Sequence, residues 1–159
     1  MSEIVTAPTI AERIVDHLTQ ALDGDLAPLG VTVERRSTPA PPEGRPAAHV
    51  MDTGDPEPDP EDLPSETHSD TYRRRVEVEI YVQCRDDEAA YRQAERLRAL
   101  AGRALRRDTT AGGWACDVAI ADSDIRPDND PDTVGYAGVR LGVNVLYATA
   151  EGDEFTLAG

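Results

Sequence analysis

Three histidines, two cysteines and thirty-one carboxylates are the groups in this sequence that could do chemistry. A metal centre needs His, Cys or carboxylate ligands at short, repeated spacings. His17, His49 and His68 have no such spacing to one another or to Cys84 and Cys116. His17 reads as a solvated histidine on a helix, and His68 as part of an acidic loop. Cys84 and Cys116 read as small buried hydrophobes in strands rather than as a disulfide or a metal pair. Asp128-Asn129-Asp130-Pro131-Asp132 matches only the opening of a calcium loop. That loop needs Gly at its sixth position and Glu at its twelfth, where this chain has Thr133 and Val139. No glycine-rich phosphate loop follows a strand, and no nucleophile elbow is present. With so many carboxylates some Asp/Glu pair is inevitable, so a pair carries no information about acid–base catalysis. The residues therefore point to no enzyme, no metal and no cofactor.

The charges point to contacts instead. All 16 basic residues are Arg, none is Lys, and the formal charge is −15. A broad cationic face for nucleic acid is excluded, because phosphate contact needs surplus positive charge. Docking on an anionic membrane surface is disfavoured for the same reason. No apolar run reaches the ~20 residues of a membrane span. The start, Met1-Ser2-Glu3-Ile4, is acidic and does not read as a signal peptide.

Against that background Arg73-Arg74-Arg75 stands out. Strand alternation puts Arg74 on the side of Val76, and Arg73 and Arg75 on the other with Glu77, Glu79 and Tyr81. We read the run as an interface strand, salt-bridged to acids of another subunit. Those acids lie in residues 52–70, which hold eight carboxylates, four prolines and no Lys or Arg. The candidate interface is Arg73, Arg74, Arg75, Glu77, Glu79 and Tyr81, with Glu57, Asp59, Glu61 and Asp62 as the acidic side. A plain solvated strand end and a DNA contact are the competing readings of the arginine run.

The elements that position these residues follow from periodicity. Thr9 and Glu12 form a capping box, and Ile10, Ile14, Leu18 and Leu22 recur every four residues, so residues 9–23 are a helix closed by Gly24. Residues 31–35 read as a short strand, and 49–51 as a brief second one. The 52–70 tract cannot bury enough apolar area to fold alone and reads as an extended loop. Residues 72–84 alternate as a long strand. A second helix starts at Asp86–Glu88 and ends in Arg103, Arg106 and Arg107, with charges matched to its dipole at both ends. Trp114 to Ile120 and Val139 to Tyr147 alternate as strands, with an acidic loop at 122–132 between them. Residues 151–159 form a short tail with Phe155 and Leu157 as docking points. The fold class is α+β, one domain over 1–159. A mostly antiparallel sheet of about four to five strands packs with two helices in the order α-β-(β)-β-α-β-β. At 39% hydrophobic and 4% aromatic residues, the core is lean, which favours assembly with further copies.

Three segments carry a resemblance. The first helix ends in "ALDG"; "RRRVEVEIYVQCRDDEAAYRQAERLRALAGRAL" runs from a long strand into an Ala/Arg-rich helix; "YAGVRLGVNVLYAT" is a closing strand. This arrangement resembles the tail terminator proteins of long-tailed viruses, related to the minor tail protein U of phages, over most of residues 9–149. The 52–70 insertion and the acidity depart from the usual pattern. The resemblance implies a virion structural protein at the tail–neck junction. It would form a homo-oligomeric ring, typically of six copies, that caps the head-proximal end of the tail tube. Its partners would be itself, the tail tube protein and a neck or connector protein, with genomic DNA passing the lumen without specific binding. Other readings stay open: another neck component, a small intracellular α+β ligand-binding or regulatory domain, or a hydrolase using an Asp pair.

High acidity without Lys also fits a high-salt cytoplasm, where ions screen carboxylate self-repulsion. Raising salt is expected to raise the midpoint of thermal unfolding and to keep the chain monodisperse, read by calorimetry and light scattering. A chain equally folded and monodisperse in very low salt would contradict the halophilic reading.

Overall fold

Two antiparallel strands of fifteen residues each, Ser69–Gln83 (β4) and Tyr136–Ala150 (β6), pair along their whole length and frame the molecule. The computed structural model describes residues 4–36, 46–52, 57–58, 69–127 and 134–159. Around the β4–β6 ladder stand helix α1 (Ile10–Leu26), β1 (Thr32–Arg36), β2 (Ala47–Asp52), β3 (Glu57–Pro58), helix α2 (Asp87–Arg106), β5 (Asp117–Pro127) and β7 (Asp153–Leu157). The main path of the sheet is β1-β2-β4-β6-β5, with β3 added to β4 and β7 to β6. The class is α+β, as expected. Among the described residues only the β1–β2 pairing is parallel.

Both helices belong to one core on one face of the sheet. Val76, Val78, Ile80 and Val82 of β4 stand beside Val143, Leu141, Val139 and Ala137 of β6, and all eight are buried. Ile14, Leu18 and Leu22 of α1 and Ala94, Leu97 and Ala101 of α2 close over them. Alanines on α2 let its backbone come near the strands. α1 starts with the Thr9–Glu12 capping box, both reciprocal hydrogen bonds being formed, and is tied to β1 by Arg35 Nη1 on Asp16 Oδ1 at 2.7 Å. Asp86 caps α2 by accepting from Ala89 N at 2.8 Å.

The structure departs from the sequence reading in six places. α1 does not stop at Gly24. It continues to Leu26, which is fully buried. A helical glycine costs about 1 kcal/mol, and burying a leucine returns about 1.5–3 kcal/mol, so the apolar stripe carries the helix through. Residues 122–127 are strand, not loop, because β6 offers them a long edge to pair with. The tail forms β7 and hydrogen-bonds back to β6; Phe155 and Leu157 remain partly exposed on it. Cys116 is exposed and Cys84 half-buried, so neither is a core residue in the expected sense; both are free thiols. His17 is half-buried, with Nε2 3.6 Å from Asp108, and it backs onto the turn at Gly112 rather than facing open water. Of the 52–70 tract, Asp52 ends β2, Glu57–Pro58 is β3 and Ser69–Asp70 opens β4; the rest lies outside the described residues, as does the 128–132 calcium-loop match.

One glycine locks the start of β6 to the start of α2. Gly135 has φ +85°, its N–H donates to Asp87 Oδ1 at 2.7 Å, and its carbonyl accepts from Cys84 N at 2.7 Å. A Cβ there would overlap the Cys84 carbonyl oxygen. Gly135→Ala is therefore expected to lower stability by about 3 kcal/mol or more. Gly113→Ala, at φ +93° in open space, should cost only about 1 kcal/mol. Urea unfolding of both variants checks this, and equal losses would contradict the clash at Gly135.

Candidate functional site

The face of the sheet away from the helices is built by parity. Successive strand residues point to opposite sides, so Arg73, Arg75, Glu77, Glu79 and Tyr81 of β4 share the helix-free face. Register then lines up rows across strands. One row runs Glu34–His49–Glu79–Arg140–Asp124 from β1 to β5, and the next Arg36–Met51–Glu77–Gly142–Asp122. The face is a lattice of opposite charges with little apolar surface.

Its centre is a four-residue ion network. Glu77, 10% exposed at its side chain, accepts from Arg140 Nη2 and, at 3.4 Å, from Arg75 Nε. The Arg75 guanidinium also grips both oxygens of Asp122 at 3.0 Å each. Each guanidinium is held charged: Arg75 chiefly by Asp122, Arg140 chiefly by Glu77. Asp122 is pushed below its ordinary value, first by its hydrogen bonds from Arg75. Gly142 makes this possible. Arg75 and Asp122 meet over its backbone, and a Cβ there would overlap Arg75 Nη2 and Asp122 Oδ1.

A β-bulge supplies the acid. Ile120 pairs with Val143 and Asp122 with Gly142, so Ala121 is the extra residue. Without it Asp122 would turn to the helix side; with it Asp122 and Asp124 face the arginines while Ile125 opposes Val139 on the core side. Asp122, Arg140 and Gly142 were not among the residues picked from sequence. The bulge hid Asp122 inside an apparent loop, and cross-strand register is not a local signal.

Arg74 points to the other side, as alternation requires. Its Nε lies 2.6 Å from Asp52 Oδ1, with both side chains largely covered. Burial works against the Arg74 charge, but Asp52 and Tyr147 together outweigh it and raise the pKa. An acid of the 52–70 tract thus meets the arginine run, within the same chain. Glu57 sits opposite Arg73 in the β3–β4 register, where opposite charges on facing residues are favourable. Asp59, Glu61 and Asp62 lie outside the described residues.

His49 is 1% exposed beside Tyr81, ring centroids 5.3 Å apart, and its Nδ1 has no hydrogen-bond partner. Burial first, then Arg36, lowers its pKa, so it stays neutral. Tyr81 donates to Glu79. Among the described residues no three His, Cys, Asp or Glu side chains are grouped to hold a metal, and no helix is long and apolar enough to cross a membrane. The arrangement can bind a charge-patterned surface.

No protein-family model and no curated protein sequence matches the chain. Its fold is similar to that of a chain in the virion of a native gene transfer agent particle, at 13% identity and a TM-score of 0.56, over 86% of this chain and 96% of that one. At this identity the likeness is one of fold.

The Arg75–Asp122 pair has a pH signature. A depressed carboxylate stabilises the fold above its unfolded value, 3.8, and that contribution is lost as pH falls through its folded value. Asp122→Asn is expected to narrow the stability gap between pH 7 and pH 3, measured by urea midpoints. Gly142→Ala should do the same by displacing the pair. An unchanged gap in both variants would contradict the network.

Proposed function

We propose that this chain is a virion structural protein, a tail-terminator-like subunit. Copies assemble into a ring on the head-proximal end of a tail tube, stop its growth and present the opposite side to the neck. The observation that carries the reading is the fold likeness, spanning 96% of a chain from a gene transfer agent virion. Two further features support it. The sequence resemblance to tail terminators rests on the order and pattern of the same helices and strands. The helix-free face pairs its central arginines, Arg75 and Arg140, with Glu77 and Asp122, which suits recognition of a surface rather than catalysis. An acidic ring of such chains would repel DNA phosphates and let a genome slide through.

The purified chain is expected to form rings with a central opening in negative-stain images, with six-fold averages the leading class. Added to tail tube protein during polymerisation, it should shorten the tubes and sit at one end. Binding to a portal or adaptor protein with no effect on tubes would move it to the neck. A chain that stays monomeric and leaves tube length unchanged would overturn the proposal.

A further inference from the structure

The arginines of β4 are occupied within the chain: Arg74 by Asp52, Arg75 by Asp122 and Glu77. Their donors are already engaged, so they have little left to offer the acids of a neighbouring subunit. A different surface has cations to spare. In α2, all three acids, Asp87, Glu88 and Glu95, come before residue 96, and residues 96–107 hold five arginines and no acid. Arg98 is paired with Glu95, and Arg107 grips Asp25 with both nitrogens at 3.1 and 2.6 Å. Arg96, Arg103 and Arg106 are exposed and have no ion pair among the described residues. Arg103 reaches Asp25 only through a weaker field. Arg96 and Arg103 lie two helical turns apart on one face of α2. Arg103, Arg106 and Arg107 surround a shallow concavity of about 450 Å³ that also touches Ala99.

We propose that this arginine face of α2 is the dock for the acidic segment that follows β3, residues 59–66, of a second copy of the chain. That segment carries Asp59, Glu61, Asp62 and Glu66 and no base. Charge complementarity selects it. In a chain of net charge −15, a helix face with three arginines that pair with no acid among the described residues is a local exception, and the densest acid lies in the same polypeptide. The segment begins one residue after Pro58, where β3 is still held on its own β4. Duplex DNA is the other polyanion with the same charge. The strong negative charge of the remaining surface disfavours it. The inference rests on the reading of this chain as a self-assembling subunit and names the contact by which copies would join.

The test uses the full-length chain and a fluorescein-labelled peptide of residues 58–69, followed by anisotropy at low and high salt, with unlabelled duplex DNA as competitor. The peptide should bind, more weakly as salt rises. Arg103→Gln/Arg106→Gln should weaken binding roughly tenfold. Arg85→Gln/Arg126→Gln removes equal charge from exposed sites elsewhere and should leave binding near wild type. In sedimentation the first pair should also reduce self-association. No peptide binding, equal loss in both pairs, or binding of DNA in its place would each overturn the dock. Peptide binding is read on chain diluted until sedimentation shows monomer, so that no second copy fills the dock, and rings are sought separately at higher concentration. Rings with no peptide binding would therefore sink only the dock, and peptide binding by a chain that never forms rings would sink only the ring.

Discussion

The β4–β6 ladder decides almost everything else in this molecule. Ser69 opposite Ala150 and Gln83 opposite Tyr136 fix fifteen pairings in one register. In that register every even residue of β4 from Tyr72 to Val82 lies on the side of the helices, and every odd one lies on the other. A slip of one residue would exchange Val76, Val78 and Ile80 for Glu77, Glu79 and Tyr81, placing carboxylates under α1 and α2. Burying unpaired carboxylates there would cost far more than the ladder's backbone bonds return. The core thus enforces the register, and the register composes the charged face.

That face works because two local irregularities cooperate. The bulge at Ala121 turns Asp122 outward, and Gly142 leaves a gap over β6 through which Arg75 can reach it. Neither feature alone would form the pair. Glu77, nearly buried between Arg75 and Arg140, is tolerable only because both guanidiniums answer its charge. A network of this kind adds little net stability over an apolar equivalent, yet it strongly disfavours any arrangement that separates its members. It stiffens the sheet and fixes the pattern of charge that a partner would meet.

How legible this was depended on how local each signal is. The capping box of α1, the charged ends of α2 and the alternation of β4 and β6 are written in short windows, and the fold class followed from them. The alternation also placed five of the six β4 candidates on one face and Arg74 on the other. What failed was non-local. Gly24 looked like a stop because the burial of Leu26 is not visible from its neighbours. Residues 122–127 looked like a loop because the bulge at Ala121 breaks the period and because the edge that recruits them lies ten to twenty residues ahead. Cys116 looked like a core position on the same unbroken period. Asp122, Arg140 and the partner of Arg74 required the register between strands, which a single sequence does not contain.

The distribution of arginine ties these points together. With no lysine and nearly twice as many acids as bases, carboxylates outnumber the guanidiniums that could pair with them. Arginine suits such a role, since its planar fork can hold two oxygens at once, as Arg75 and Arg107 do. On the sheet face Arg75 and Arg140 are used to stitch strands, so that face is charged in pattern but has little charge left over. Along the second half of α2 the acids stop and the arginines continue, and Arg96, Arg103 and Arg106 pair with no acid among the described residues. A subunit held soluble by net negative charge and carrying one concentrated cationic strip has a built-in polarity. On the proposed reading, copies of so acidic a chain would repel one another in most orientations and attract where the strip meets concentrated acid. The proposed contact would be directional and head-to-tail, a geometry that gives a ring where its rotation closes and an open filament where it does not.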